Sequence, residues 1–511
     1  MSDAETPAEQ LRLLLAPKAT YEVVRFFFLR GLGVLYAVAF SILLFQFSPL
    51  LGSHGLLPAA RYVERVQAAY GGWGAFARVP SIFFWIGTSD ATFAFFAWLG
   101  FILSVLVALG LTNAVVQFFV WAIYLSFVHV GQVFYGYGWE MQLSETGFLA
   151  VFLCPIATLS PFAKTRVPIV PVVCLRWLIA RIMLGAGLIK LRGDPCWRDF
   201  TCLVYHYETQ PIPGPLTVLF HSLPVWAHKI GVGFNHLVEV VAPFFAFGPR
   251  KARIVAGCLF VSFQVILILS GNLAFLNWLT LLPAIACFDD RFLARIVPKK
   301  LQERLMSIAE REPPRTAMLA SVGYGLTVAV LSIGPVLNLL SPRQAMNTSF
   351  DPFNLVGSYG AFGSVGKERY EIVIEGTSAE VPDADAEWIA YEFPCKPGDP
   401  NRRPCLITPY HYRLDWQIWF AAFRGVNREP WLAFLMWKLL LGEPEIKSLL
   451  ANDPFPAAPP RYIRADLYRY QLVKLGDPDP AVWRRTRVDE VVKPVSKDSP
   501  ELRRFLVKTA F

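Results

Sequence analysis

Residues 174–197 read CLRWLIARIMLGAGLIKLRGDPCW, an apolar run long enough for a bilayer that also carries Arg176, Arg181 and Lys190. A hydrocarbon core of roughly 30 Å takes about 20 mostly apolar residues as a helix. A charge at its centre costs roughly 3 kcal/mol, so charged residues there face a bundle interior or a cavity. Gly185 and Gly187 add the small surfaces that let helices approach closely. The stretch therefore predicts one helix of a multi-pass bundle with a polar interior. Working outward, similar runs lie near 31–51, 91–111, 114–135, 147–163, 168–190, 229–248, 254–269, 272–288 and 318–340, about nine candidate spans. The fourth, seventh and eighth are short or interrupted by proline, so a re-entrant or horizontal course stays open for them.

The whole composition agrees. The chain has 511 residues, 54% of them hydrophobic, and a mean hydropathy of +0.42, above the range of ordinary soluble domains. Residues 1–340 hold 25 basic and 17 acidic side chains, whereas 341–511 hold 23 and 22 in half the length. The expected architecture is thus a multi-pass α-helical membrane protein with a C-terminal α+β, β-rich domain outside the cytoplasm. Its parts are a cytoplasmic segment 1–30, a transmembrane domain 31–340 and a soluble domain 341–511. Lys18, Arg25 and Arg30 precede the first span and no small-residue cleavage site follows it, the pattern of a retained anchor. With the N-terminus in the cytoplasm, the cytoplasmic stretches carry 16 Lys and Arg and the opposite loops 5, which favours that orientation. The basic excess sits in membrane loops, with no aromatic-interleaved basic tract, so no nucleic acid partner is expected.

Four cysteines, Cys154, Cys174, Cys258 and Cys287, fall in apolar spans. Cys196, Cys202, Cys395 and Cys405 fall in the outward regions, where local disulfides are expected if the compartment is oxidising and free thiols if it is not. The loop at 194–229 is dense in polar groups, with His206, Glu208, Gln210, His221 and His228. His236 and Glu239 share a helical face, and Asn272, Asn277, Glu140, Gln142 and Glu145 lie at or near membrane depth. Together they suggest a hydrated outward chamber. The histidine spacing matches no metal-ligand pattern, so neither a metal nor a cofactor is expected. In the C-terminal domain, TPYHYRLDWQIW gathers Tyr410, His411, Arg413, Asp415 and Trp416. Two readings stand: core packing with internal ion pairs, or a client-binding edge built from aromatic and Arg anchors. No Ser nucleophile elbow, Walker loop, GxGxxG or HExxH occurs in context.

The runs YHYETQPIPGPLTVLFHSLPVWAHK, NHLVEVVAPFFAFGPR, SGNLAFLNWLT and CFDD closely resemble the lipase maturation factor family, as do DPFNLVGSYGAFGSVGKERYEIVIEGT, KPGDPNRRPCLITPYHYRLDWQIWFAAF and NDPFPAAPPRYIRADLYRY. The resemblance runs from about residue 20 to about 485. It implies a cytosolic N-terminus and a lumenal C-terminal domain that binds secreted lipases and helps them reach their active fold, acting as a chaperone in the endoplasmic reticulum membrane. In a bacterium the same orientation implies the inner membrane. Membrane lipid is a further expected partner. GAGLIKLRGDPCW more distantly resembles the vitamin K-dependent gamma-carboxylase and its horizontally transferred transmembrane superfamily. That likeness implies an alternative, an integral-membrane enzyme with Lys190 as general base and Arg181, His236 and Glu239 nearby, although Leu191 departs from its pattern. A transporter is disfavoured because the halves of the membrane part show no repeat.

Overall fold

In the computed structural model, residues 19–309, 312–383, 385–425 and 428–509 are described. Helix α1 (Glu22–Leu51) begins at Glu22, not near 31, because the Asp290 carboxylate receives the N–H groups of Glu22 and Val23 at 2.8 Å. Those are donors that a helix start leaves without internal partners. Part of the expected segment 1–30 is therefore helix; residues 1–18, Lys18 included, lie outside the described residues.

The bundle continues with α2 (Asp90–Leu109), capped by Ser89, and α3 (Ala114–Val130), capped by Asn113. Then come α4 (Gly138–Val151) and α5 (Ile169–Arg192). Helix α6 runs Val225–His236, passes through a π turn at Leu237–Val241 and ends as Ala242–Phe245. After it lie α7 (Arg250–Ser270), α8 (Leu276–Ala284), α9 (Lys299–Ala309) and α10 (Arg315–Leu340). Among the described residues, five helices, α1, α2, α5, α7 and α10, are long and apolar enough to cross a membrane, which makes this an integral membrane protein. The nine expected spans are thus reduced by length. The run at 147–163 ends in irregular chain after Val151, where Pro155 and Pro161 interrupt it, and α4 starts earlier, at Gly138. The run at 272–288 yields only the short Leu276–Cys287. Helix α5 occupies the centre, whereas α2, α7 and α10 are peripheral and present Phe95, Trp98, Val265 and Leu326 outward.

The C-terminal region is α+β. A ribbon pairs β1 (Thr348–Ser349) with β2 (Gly357–Ser358). A four-stranded antiparallel sheet has the order β4-β3-β5-β6, with β3 Arg369–Thr377, β4 Ile389–Ala390, β5 Tyr462–Leu472 and β6 Trp483–Val495. Helices α11 (Arg413–Arg424) and α12 (Pro430–Leu441) bury apolar faces under it, and α13 (Pro500–Thr509) follows. The apolar core is continuous: Leu32, Tyr36 and Phe134 of the membrane part belong to one cluster with Ile374, Trp416 and Trp431. The C-terminal region is seated on the bundle through a shared core.

Candidate functional site

The polar residues of the bundle resolve into separate buried pairs. On α5, Arg181 forms an ion pair with Glu145 of α4, and both side chains are 3% exposed or less. Glu145 also accepts the Gly357 N–H at 2.8 Å and the Tyr359 hydroxyl at 2.6 Å, so a membrane-depth carboxylate fixes the β1–β2 ribbon. Lys190, one helix face further, donates to Glu239 at 2.6 Å and to the Asn235 amide oxygen at 3.1 Å; the Asn235 amide nitrogen donates to the same carboxylate at 2.8 Å. Glu239 lies in the π turn of α6, a local geometry that re-aims side chains and often accompanies functional positions. The ammonium lies 4.9 Å from the Trp197 ring centroid. An ammonium clamped by a carboxylate and an amide is the arrangement of a structural ion pair, and the enzyme reading built on Lys190 finds no support in it. His236 does not join the pair; its Nε2 meets the Trp197 carbonyl at 3.0 Å. Arg176 donates to the Ala286 carbonyl and the Tyr21 hydroxyl, and Asn277 to Gln264 at 2.7 Å. The expected single chamber is therefore a set of distinct pairs, each satisfying a charge or amide locally, as burial demands.

The loop after α5 follows the same rule. Asp194 caps a short helix, and the structure joins Cys196 to Cys202 and Cys395 to Cys405. Asp194 and the first cysteine pair come within 4.8 Å, but joined sulfurs offer no thiolate to a metal. Gln210 donates to Thr217 and to the Ser270 carbonyl, anchoring the loop on α7. His206 packs edge-on to Phe362, and burial, reinforced by Lys190, pushes its pKa down to about 4. His221 lies 3.6 Å from Glu208. Burial lowers the histidine to about 4 and raises the carboxyl, so desolvation outweighs their attraction and the imidazole stays neutral.

The TPYHYRLDWQIW motif requires a correction. Read as a client-binding edge, Tyr410, His411, Arg413, Asp415 and Trp416 should be exposed. His411 and Arg413 are 0% exposed, Asp415 1% and Trp416 5%, and Tyr410 is half-buried. They form the seam with the membrane part. Arg413 donates to Glu140 of α4 at 2.8 Å and to the Phe134 carbonyl at 2.7 Å, and its guanidinium stacks 3.5 Å over Tyr135. Glu140 is completed by Trp139 and by the Tyr124 hydroxyl. Gln46 of α1 reaches the same segment, donating to the His411 carbonyl and accepting the Arg413 N–H. Asp415 caps the chain at Cys395 and Lys396 through their N–H groups; burial raises it to about 6 despite those bonds. His411 sits between Trp139, Tyr137 and Phe275, where burial and then Arg413 hold its pKa well below the usual value.

Two more clasps close the seam. Asn272, at the outer end of α7, accepts the Ile407 and Thr408 N–H groups and donates to the Cys405 carbonyl. Arg369, buried in β3, binds Glu371 and the carbonyls of Glu208, Gln210 and Pro211, while Lys396 completes Glu371 at 3.1 Å. Gln46, Arg369, Glu371 and Lys396 escape a motif search, yet three have a signal: Gln46 is a lone amide in an apolar span, and Arg369 and Glu371 are charges at inward positions of a strand.

With this geometry in hand, the comparisons with known proteins align closely. Residues 23–295 match the model of the lipase maturation factor transmembrane domain, and residues 355–493 that of the lipase maturation factor C-terminal domain. Lipase maturation factor 1 of Bos taurus is 46% identical over 503 residues, covering 94% of this chain and 90% of that protein. The Homo sapiens protein of that name is 43% identical over 511 residues, covering 95% and 90%. Lipase maturation factor 2 of Xenopus tropicalis is 30% identical over 601 aligned positions, covering 94% and 83%. No solved structure matches. Both modules, in order and over nearly the full length, place this chain in the lipase maturation factor family.

Proposed function

We propose that this protein is a membrane-embedded maturation factor that helps secreted lipases reach their active fold. The observation that carries the reading is the 46% identity, across 94% of the chain, to a protein named lipase maturation factor 1. The bundle serves as a scaffold that holds the C-terminal region at the membrane surface, outside the cytoplasm: the endoplasmic reticulum lumen in a eukaryote, the periplasm in a bacterium. Because 410–416 is buried in the seam, the client meets the free edge of the sheet, where β6 lies and Val488 is 53% exposed. An edge strand and its exposed side chains suit an incompletely folded polypeptide.

The test is co-expression with a secreted lipase in cells lacking their own factor. Lipase activity per secreted lipase molecule should rise with this protein and not with an empty membrane control; unchanged specific activity would refute the reading. A photoreactive residue at Val488 should trap the client, and one at the buried Leu414 should not.

A further inference from the structure

At the end of the bundle that carries the basic connections, a small cleft open to solvent lies between α1, the chain at 155–163 and α9. Its rim has an unusual construction. The guanidinium of Arg30 lies 3.6 Å over the Phe26 ring, and that of Arg304 lies 3.7 Å over Phe162. The two rings stack on each other, with centroids 5.7 Å apart and planes 28° from parallel. Two cations thus bracket an aromatic pair on the wall of one cleft. Arg30 is held further by the Pro161 carbonyl at 2.6 Å. Gly110 makes room for it: its φ is +85° and a Cβ there would come within 2.3 Å of the Arg30 Nη2. Arg25 also lines the cleft, with its charge already met by Glu22. Arg30 on the cleft wall and Arg304, which covers Phe162 beside it, have no carboxylate partner among the described residues, so one uncompensated positive charge lies in the cleft and a second next to it.

Leu29 of α1 and Leu305 and Ile308 of α9 give the wall an apolar part, beside the polar Glu22, Thr112 and Ser160. Beside the opening, Phe27 of α1, Leu109 at the end of α2 and Leu111 just past it are exposed at 43%, 61% and 37%. Helix α9 is amphipathic: it turns Leu305 and Ile308 inward and leaves Lys299, Lys300 and Arg304 outward, as surface-lying basic helices do. The Arg30 charge in the cleft, the basic face of α9 beside it and the exposed apolar side chains nearby complement one ligand chemistry, an anionic head on hydrocarbon tails. We propose that this cleft binds the phosphate headgroup of an anionic phospholipid, with its acyl chains along Phe27 and Leu109. The lipid ties α9 to α1 at the membrane surface. This holds whether or not the protein matures lipases, because it rests only on the cleft.

The full-length protein, delipidated in detergent, is titrated with phosphatidylglycerol or phosphatidylcholine, and bound lipid per chain is read by native mass spectrometry. Phosphatidylglycerol should bind one per chain and more tightly than phosphatidylcholine. R304A, which removes an exposed side chain, should weaken it about fivefold, the usual effect of one basic residue at a lipid surface. A163F, which fills the cleft and keeps every charge, should abolish it. K251A, which removes an equally basic residue outside the cleft, should leave it unchanged. Equal binding of the two lipids, or equal losses from K251A and R304A, would overturn the proposal. Displacement by millimolar inorganic phosphate would also overturn it, assigning the cleft to a free anion. A thermal melt of each variant separates lost binding from lost fold.

Discussion

Two buried ion pairs of similar chemistry do different structural work. Lys190–Glu239 lies wholly within the membrane part, between α5 and the π turn of α6. Arg413–Glu140 crosses from the C-terminal region into α4, and the same helix offers Glu145 to the β1–β2 ribbon five residues on. The first pair closes a bundle; the second makes two regions one body. A chain whose composition changes sharply near residue 340 invites a picture of an anchor carrying a separable domain. The seam contradicts that picture, because Arg413 and Glu140, both buried, meet an opposite charge only across it.

The comparison is broken most directly at Arg413. Replacing one partner of a buried pair leaves the other charge uncompensated, at a cost of about 3–5 kcal/mol. R413A should lower the melting temperature in detergent and make the C-terminal region sensitive to protease, while K190A should destabilise the bundle and leave that region protected. Equal protease sensitivity in the two variants would erase the distinction. Replacing both partners, as E140L with R413M, should recover much of the loss, since well-packed apolar pairs often match buried ion pairs. Deleting 341–511 is the harsher version: it strips Glu140 and Glu145 together, so loss of the truncated protein is expected even if the client never touches the deleted part.

The disulfides sharpen the same contrast at a smaller scale. Cys395–Cys405 closes a loop of separation 10 whose last carbonyl is held by Asn272, on the seam. Cys196–Cys202, of separation 6, packs with Trp197 beside Lys190. Chain-entropy arithmetic gives about 2–3 kcal/mol for loops of this size. C395S/C405S should therefore raise amide exchange at 405–408 and in α11, and C196S/C202S should raise it near 190–206. The reverse pattern would show that the loops are not where the seam and the bundle are secured.

The sequence made the membrane class and the two local cysteine pairs legible, because apolar period, composition and short spacings are local properties. It read β6 poorly: WRRTRVDEVVKPV has no apolar face to signal a strand, and its pairing with β5 shifts register three times. Four of the nine expected spans fall short of the five long helices: the runs at 147–163 and 272–288 end in irregular chain or a short helix, α3 has 17 residues, and the run at 229–248 is broken by the π turn of α6, because apolar composition marks a run without fixing how far its helix extends. The site residues were visible as anomalies, a charge in a span or a cluster of aromatics, but not their partners. Nothing near Arg413 points 273 residues back to Glu140, a distance along the chain that only the fold closes. An Arg and Trp cluster looks the same in sequence at an interface with a client and at an interface with the rest of the chain, so only the fold selects core packing with internal ion pairs from the two readings of 410–416.

The smallest expected effect is on pH dependence, and its sign follows from the same burial. His206 titrates near 4 in the fold, against about 6.5 in an unfolded chain. Between those values the unfolded chain binds the extra proton, so stability rises with pH and is lost as pH falls from 6.5 toward 4. His221 acts in the same direction. Asp415 opposes them: raised to about 6, it is protonated earlier in the fold than in the unfolded chain and gains stability on acidification across about 4 to 6. Three histidines, with His411 shifted the same way, against Asp415 and the raised Glu208 leave a net loss on acidification, with about 1–2 kcal/mol from His206 at pH 5. H206Q should therefore narrow the melting-temperature difference between pH 7 and pH 5, whereas D415N, which removes the opposing group, should widen it. If H206Q leaves that difference unchanged, the imidazole is hydrated in the fold and the loop between α5 and α6 is open to water at the membrane surface.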